Sequence, residues 1–448
     1  MNSLVTKRLS LNLLTSLGGR STLILYQIIS VPLFLRFIGS DLYGEWLILS
    51  SVSGYFTLSN LGFSIAAANQ MSQEFSQKLN KEATITFNSS RVFAIITSSV
   101  VVVLLIIFIS LPLDRYLNIQ LLSIESIRYI LVLLTLRIII SIQSGVFFSL
   151  LRAQQKFHMV QTFETILKLF EILIIAITLY LNANLLILSI NLCSLSILSY
   201  IALSIYVKKI SKVPFNLSES QRSTISKLLQ PSLSSMSFNL SPLLINYGSN
   251  IIIGGMLGSS YVTLLVAVKT LANIIKQGVS MLQQSFLPEL SFINENDKSN
   301  RQLILSILIW LTLIINIIGI LTFALFGEYI FGLFTDHQLV FPTVLFSFFV
   351  LANIVSTLYQ PLYTNLLSHN KHSDFSWIYL ALNTIALIGI VGFFYMNYTS
   401  LIVFPLAFLI VELFAFIYLT RKAKEGEAIS IESLKKAGKL IMVKVNPF

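Results

Sequence analysis

The stretch NLLILSINLCSLSILSYIALSIYV, residues 184–207, runs without an Asp, Glu, Lys or Arg and then meets KKISK, residues 208–212. At 1.5 Å per residue a helix of this length extends about 36 Å, enough to cross a hydrocarbon core of about 30 Å. As a helix it satisfies every backbone N–H and C=O internally, which hydrocarbon requires. The lysines that follow mark a water boundary on the side where positive charge collects. The stretch therefore reads as a transmembrane helix that ends in the cytoplasm.

The same reading extends over most of the 448 residues. Apolar segments at 13–38, 42–68, 90–113, 125–150 and 158–181 precede this one, and 231–257, 259–287, 302–326, 339–366, 374–396 and 399–420 follow it, which predicts twelve spans. Composition agrees: 55% of residues are hydrophobic, 11% are charged and the mean hydropathy is +0.82, outside the soluble range. The longest interior polar stretch, residues 208–230, is too short to bury a core of its own. The expected fold class is an all-α polytopic membrane protein.

The net charge of +11 acquires meaning when sorted by side. Of the 30 Lys and Arg, 22 fall at the N-terminus, in the even-numbered loops and in the C-terminal tail, and only Arg36, Arg115 and Arg128 fall opposite. Both termini are therefore expected in the cytoplasm, and the basic balance implies a membrane surface and not nucleic acid. Lys7 and Arg8 precede a run too long for a signal-peptide core, so the first span is expected to be retained. The single Cys193 excludes a disulfide within the chain.

The basic loop divides the chain into an N-terminal six-helix lobe (1–207), a linker (208–230), a C-terminal six-helix lobe (231–420) and a basic tail (421–448). Six spans return the chain to its starting side, so the two sets run parallel, and a substrate is expected between them. Phe37-Ile-Gly-Ser40 resembles Met256-Leu-Gly-Ser259, each followed by a tyrosine, Tyr43 or Tyr261. In that register Arg20 matches Asn239 and Gln27 matches Asn246. Tail residues Lys435, Lys436 and Lys439 beside Ile431, Leu434, Leu440 and Ile441 suit either a helix on the anionic leaflet or a solvated tail.

Ions inside spans carry the functional reading, because each is costly in hydrocarbon and marks a polar path or a locked pair. Arg20, Arg137, Lys168, Lys269 and Lys276 face Glu164, Glu171 and Glu412 in number. Lys269, Asn273 and Lys276 share a face of the eighth span, as do Arg20 and Gln27 on the first and Asn239, Asn246 and Asn250 on the seventh. A lining of Arg20, Arg137, Lys269 and Lys276 suits a phosphate or diphosphate. Glu164, Lys168 and Glu171 sit four and three apart, so Lys168 is expected to be neutralised and one glutamate left in excess. Glu171, Glu412 and Glu164 are the candidates for coupling to a proton or sodium gradient.

Absent motifs narrow the class further. No G-x-x-x-x-G-K-[ST] loop binds ATP, and no long non-cytoplasmic loop exists to hold a catalytic site, so an enzyme and a cofactor are not expected. His369, His372 and Asp374 lack further ligands, and no metal site is expected there.

The most distinctive text is Tyr43-Gly-Glu-Trp46, then Gly54-Tyr-Phe-Thr-Leu58-Ser-Asn-Leu-Gly62, leading into Ala66-Ala-Ala-Asn69. It resembles the polysaccharide-transporter branch of the multidrug/oligosaccharidyl-lipid/polysaccharide exporter superfamily, which includes the O-antigen flippases. The resemblance implies a MATE-like fold of two six-helix lobes around a central cavity, in a bacterial inner membrane. It also implies alternating access, driven by an ion gradient, that moves an undecaprenyl-diphosphate-linked oligosaccharide from the inner to the outer leaflet. Membrane lipids and other surface-polysaccharide assembly proteins are the partners it implies. Relatives often carry an acid before the final Leu-Gly; here Asn60 stands there as a polar lining residue, and a coupling role for that acid does not carry over. The competing reading is a multidrug or cation antiporter of the same superfamily, which predicts more carboxylates than cations in the spans.

Overall fold

A computed structural model describes the backbone of residues 3–57, 62–211, 213–292, 298–368, 372–396, 400–425 and 431–445. Within these, the side chains of residues 3–17, 20, 114, 230–231, 233–239, 288–289, 291–292, 431 and 440–445 lie outside the description. Among the described residues the regular structure is entirely helical: α1 Ser3–Tyr55, α2 Phe63–Ser76, α3 Asn80–Ile109, α4 Leu113–Tyr116, α5 Ile124–Ala153, α6 Phe157–Asn182, α7 Leu185–Ser211, α8 Arg222–Leu257, α9 Ser259–Phe292, α10 Lys298–Phe334, α11 Thr343–Ser368, α12 Ser373–Tyr395, α13 Val403–Glu425 and α14 Ile431–Val445.

Ten of the described helices are long and apolar enough to cross a bilayer. Two features relate that number to the twelve predicted spans. The helix α1 runs through the first span and into the second, divided at Gly39, and α6 is a further helix of 26 residues that carries Glu164, Lys168 and Glu171. The second predicted span, 42–68, is not one helix: it stops at Tyr55 and restarts at Phe63, reaching Ser76. Gly62 takes φ 88° where α2 begins, a conformation open mainly to glycine. The surfaces are inverted relative to a soluble protein, with Val103, Ile106 and Ile107 of α3 more than half exposed.

The chain forms two compact units, Met1–Leu264 and Leu265–Phe448. In the first, α1 packs on α5, α6 and α8, while α2, α3 and α5 form a second group with α8. The helix α8, which follows the basic loop, thus belongs to the first unit through its contacts. In the second unit α11 packs on α10 and α13, α12 on α13, and α14 on α10.

The short repeat read from the sequence has a backbone counterpart. Gly39 lies at φ 76°, ψ 174°, and Gly258 at φ 100°, ψ 171°, an extended left-handed geometry essentially confined to glycine. The two helix junctions they form meet reciprocally. Thr263 Oγ1 donates to the Ser40 carbonyl at 2.7 Å, and a Cβ at Gly44, the residue matching Thr263, would collide with the carbonyl of Ser259, which matches Ser40. Asp41 and Ser260, which match each other, are hydrogen-bonded.

Tyr43-Gly-Glu-Trp46 is explained by the same junction. The Tyr43 and Trp46 rings stack on Phe34 with centroids at 4.7 and 5.8 Å, closing the turn between α1's two parts. The Glu45 side chain is wholly buried, and its carboxylate accepts from the amides of Gln120, Leu121 and Leu122 at 2.8, 2.7 and 3.1 Å, which fastens the segment before α5.

Candidate functional site

Each unit buries a glutamate near the middle of its helices and surrounds it differently. In the first unit Glu171 of α6 receives Arg137 Nη2 of α5 at 2.7 Å on one oxygen and Lys168 Nζ at 2.6 Å on the other. Arg137 Nε also donates to Ser196 Oγ of α7 at 3.3 Å, and the Lys168 ammonium lies 4.8 Å from the centre of the Tyr26 ring of α1. Four helices thereby converge on one carboxylate. The i, i+3 spacing of Lys168 and Glu171 on a helix makes that pair local, whereas Arg137 arrives from a neighbouring helix.

The structure distinguishes the two glutamates: Glu171 holds two cations, and Glu164, half-buried one turn before Lys168, is the carboxylate outside that pairing. Lys168 is neutralised as its spacing predicts.

In the second unit Glu412 of α13 accepts from the Tyr359 hydroxyl of α11 at 2.5 Å and from the Tyr379 hydroxyl of α12 at 2.9 Å. Lys276 of α9 stands off at 3.7 Å from the same carboxylate. Tyr379 is itself held by its helix, where its carbonyl accepts from Asn383 Nδ2 at 2.8 Å. The two tyrosines lie 53 and 33 residues from Glu412 in sequence, so no spacing announces them; burial of an O–H bearing ring in a span is the one signal that marks such residues.

The two clusters share a gradation of exposure. The carboxylate side chains are 5% and 9% exposed, while the lysines beside them, Lys168 and Lys276, are each 37% exposed. In each cluster a partly exposed lysine side chain is set against a more deeply buried carboxylate.

The remaining predicted residues are placed as follows. Lys269 is buried, and Asn273, between it and Lys276, is partly buried. Asn250 of α8 is buried and donates to Ser51 Oγ of α1 at 3.0 Å, while Asn246 is exposed and Gln27 is partly buried. The side chains of Arg20 and Asn239, and the whole of Asn60 and His369, lie outside the described residues. Among the described residues no three His, Cys, Asp or Glu side chains cluster as metal ligands.

The helical chain thus carries buried ion pairs within its spans, a helix junction repeated between its first and seventh spans, and a second span divided into two helices. Solved structures agree in fold: lipid II flippase MurJ in an inward closed conformation has a TM-score of 0.72 at 14% identity over 97% of this chain and 93% of its own. An inward-facing multidrug resistance MATE family transporter has a TM-score of 0.69 at 15% identity over 90% and 95%. A superfamily transporter from Pyrococcus furiosus, described as having a binding pocket of reverse polarity, scores 0.58 at 13% identity over 94% and 96%. No curated protein sequence matches. Residues 12–294 match the polysaccharide biosynthesis protein family, and the chain belongs to that family.

Proposed function

We propose that the protein is a flippase that carries an undecaprenyl-diphosphate-linked oligosaccharide, the repeat unit of O-antigen or a related surface polysaccharide, from the inner to the outer leaflet of a bacterial inner membrane. One observation supports this reading: each cluster sets a lysine, about a third of whose side chain is exposed, against a buried carboxylate. A diphosphate needs cations at the depth where it leaves the headgroup layer, and its prenyl tail remains in the bilayer. In this proposal Lys276, 3.7 Å from its carboxylate, is the cation offered to the diphosphate, and Lys168 joins it when substrate competes with Glu171, with Arg137 holding the first cluster in place. Arg20 and Lys269 are the further cations that the sequence offers for the same role.

Coupling falls to Glu412 in this proposal. Protonating Glu171 would strand two cations, Arg137 and Lys168. Protonating Glu412 strands one lysine already 3.7 Å away, and a tyrosine hydroxyl can turn from donor to acceptor for the new O–H. The gradient is one of protons or sodium, and both termini are cytoplasmic.

The test is deletion of the protein from its host, with lipid-linked oligosaccharide followed by leaflet and surface glycan measured. Wild type, Lys168→Gln, Lys276→Gln and the corresponding arginine variants are then restored at matched membrane levels. Stranding of oligosaccharide on the cytoplasmic leaflet, relieved by wild type and the arginine variants but not by the glutamines, is the expected result. Normal surface glycan with altered resistance to cationic drugs would instead make the protein an antiporter.

A further inference from the structure

The C-terminal helix α14 is docked on a transmembrane helix by small residues. The Ser433 and Ser306 hydroxyls are 2.9 Å apart, and the Trp310 indole donates to the Leu434 carbonyl at 3.0 Å. Ala437 is fully buried, and a Cβ on Gly438 would already touch the Trp310 ring at 3.4 Å. Ser433, Ala437 and Gly438 thus form one stripe that lets α14 lie close against α10. Lys435, Lys436 and Lys439 are off that stripe and exposed.

The depth of this contact gives the lysines their partner. The helix α10 begins with Lys298 and Arg301, and its stretch free of charged residues, mostly apolar, starts at Leu303. Trp310 is seven residues further, about 10 Å along the helix. Amphipathic helices settle about 5–10 Å into the boundary between headgroups and acyl chains, and this is the level at which α14 is fixed. A lysine at that level lays its stem along apolar surface and reaches back to the phosphates.

We infer that Lys435, Lys436 and Lys439 form a binding surface for anionic phospholipid headgroups, held at headgroup depth by the docking of α14 on Trp310. The inference rests on the cytoplasmic placement of the C-terminus proposed above, and it is independent of the cargo.

Brominated phosphatidylglycerol tests it, because bromine quenches tryptophan at contact and Trp310 sits beside α14. The full-length protein carrying Trp46→Phe and Trp377→Phe, so that Trp310 is the remaining tryptophan, is titrated in mixed micelles with brominated phosphatidylglycerol or phosphatidylcholine. Phosphatidylglycerol is expected to saturate the quenching at a lower mole fraction than phosphatidylcholine. Each lysine contributes about fivefold near an anionic surface, so the combined variant Lys435→Gln, Lys436→Gln, Lys439→Gln raises the half-saturating fraction at least tenfold. The phosphatidylcholine curve stays unmoved, and 0.5 M salt reproduces the effect on the wild-type lysines. That salt arm decides the matter if the variant's Trp310 emission shows α14 detached. Equal curves for the two lipids, or a variant that binds like its parent, overturn the inference. So does quenching by brominated lipid that requires added undecaprenyl diphosphate, which would assign the lysines to the cargo. A Lys439→Cys variant in a Cys193→Ser background that reacts only with reagent on the non-cytoplasmic side would refute the placement and leave the flippase assay standing.

Discussion

Replacing Glu171 by glutamine keeps the shape of the first cluster and removes its only described negative charge, which isolates what the charge does. The side chain is 5% exposed, so its two partners lose a desolvated countercharge. Removing one member of a buried pair costs about 3–5 kcal/mol. Two features of the structure reduce that figure. Lys168 is 37% exposed, so its share is closer to the roughly 0–1 kcal/mol of a surface pair. The glutamine carbonyl also still accepts one hydrogen bond, returning about 1 kcal/mol. The expected loss is therefore about 2–4 kcal/mol, most of it from Arg137, which is 21% exposed. The assay is reversible unfolding of the purified full-length protein in mixed micelles, applied as double-mutant cycles with Arg137→Gln and Lys168→Gln. Coupling of Glu171 to Arg137 should reach about 2 kcal/mol and coupling to Lys168 should stay below about 1 kcal/mol. A Glu171→Gln protein within about 0.5 kcal/mol of wild type, or a larger coupling to Lys168, would refute this account of the cluster.

Glu412→Gln should differ in kind: stability changes by less than the Glu171 variant's, and accumulation of surface glycan in cells loses its dependence on the ion gradient at matched protein level. Gly39→Ala and Gly258→Ala should each destabilise by about 1–3 kcal/mol, and by similar amounts, because both impose the same glycine-only backbone geometry; unfolding midpoints of the two variants check this. Glu45→Gln sets an amide against three backbone donors and should cost about 2–3 kcal/mol, with hydrogen exchange at Gln120 to Leu122 rising at least tenfold. Burial holds the His372 imidazole below its usual range near 6.5, so the unfolded chain binds this proton more readily. Its contribution to stability is complete above about pH 6.5 and declines as the pH falls through that value toward the lower folded pKa; the difference in thermal stability between wild type and His372→Gln should narrow from pH 7.5 to pH 5.

The two clusters surround similar residues with different partners. Glu171 and Glu412 are alike in depth and burial, and sequence spacing treats both as coupling candidates. The partners separate them: Glu171 holds two cations at 2.6 and 2.7 Å, while Glu412 accepts from two tyrosine hydroxyls and has its lysine at 3.7 Å. The first set of contacts ties α5, α6 and α7 to one another.

What the amino-acid sequence determined by itself was everything that hydrocarbon dictates locally. A bilayer of fixed thickness admits only long apolar helices, so the spans at 184–207 and elsewhere, the helical class and the basic sidedness follow from runs of residues without any knowledge of contacts. The Lys168 to Glu171 pair was equally legible, because three residues on a helix place two side chains on one face. The Gly39 and Gly258 repeat was visible as text, though not as geometry. Tertiary structure alone decided that Arg137 crosses from α5 to Glu171, that Tyr359 and Tyr379 clamp Glu412, and that Glu45 caps amides 75 to 77 residues away. It also decided that the second span breaks between Tyr55 and Phe63 and that α14 docks on Trp310. Helix periodicity assigns a side chain to a face, but which neighbour that face meets depends on how whole helices pack, and that is set by the sum of many weak contacts distributed along the chain.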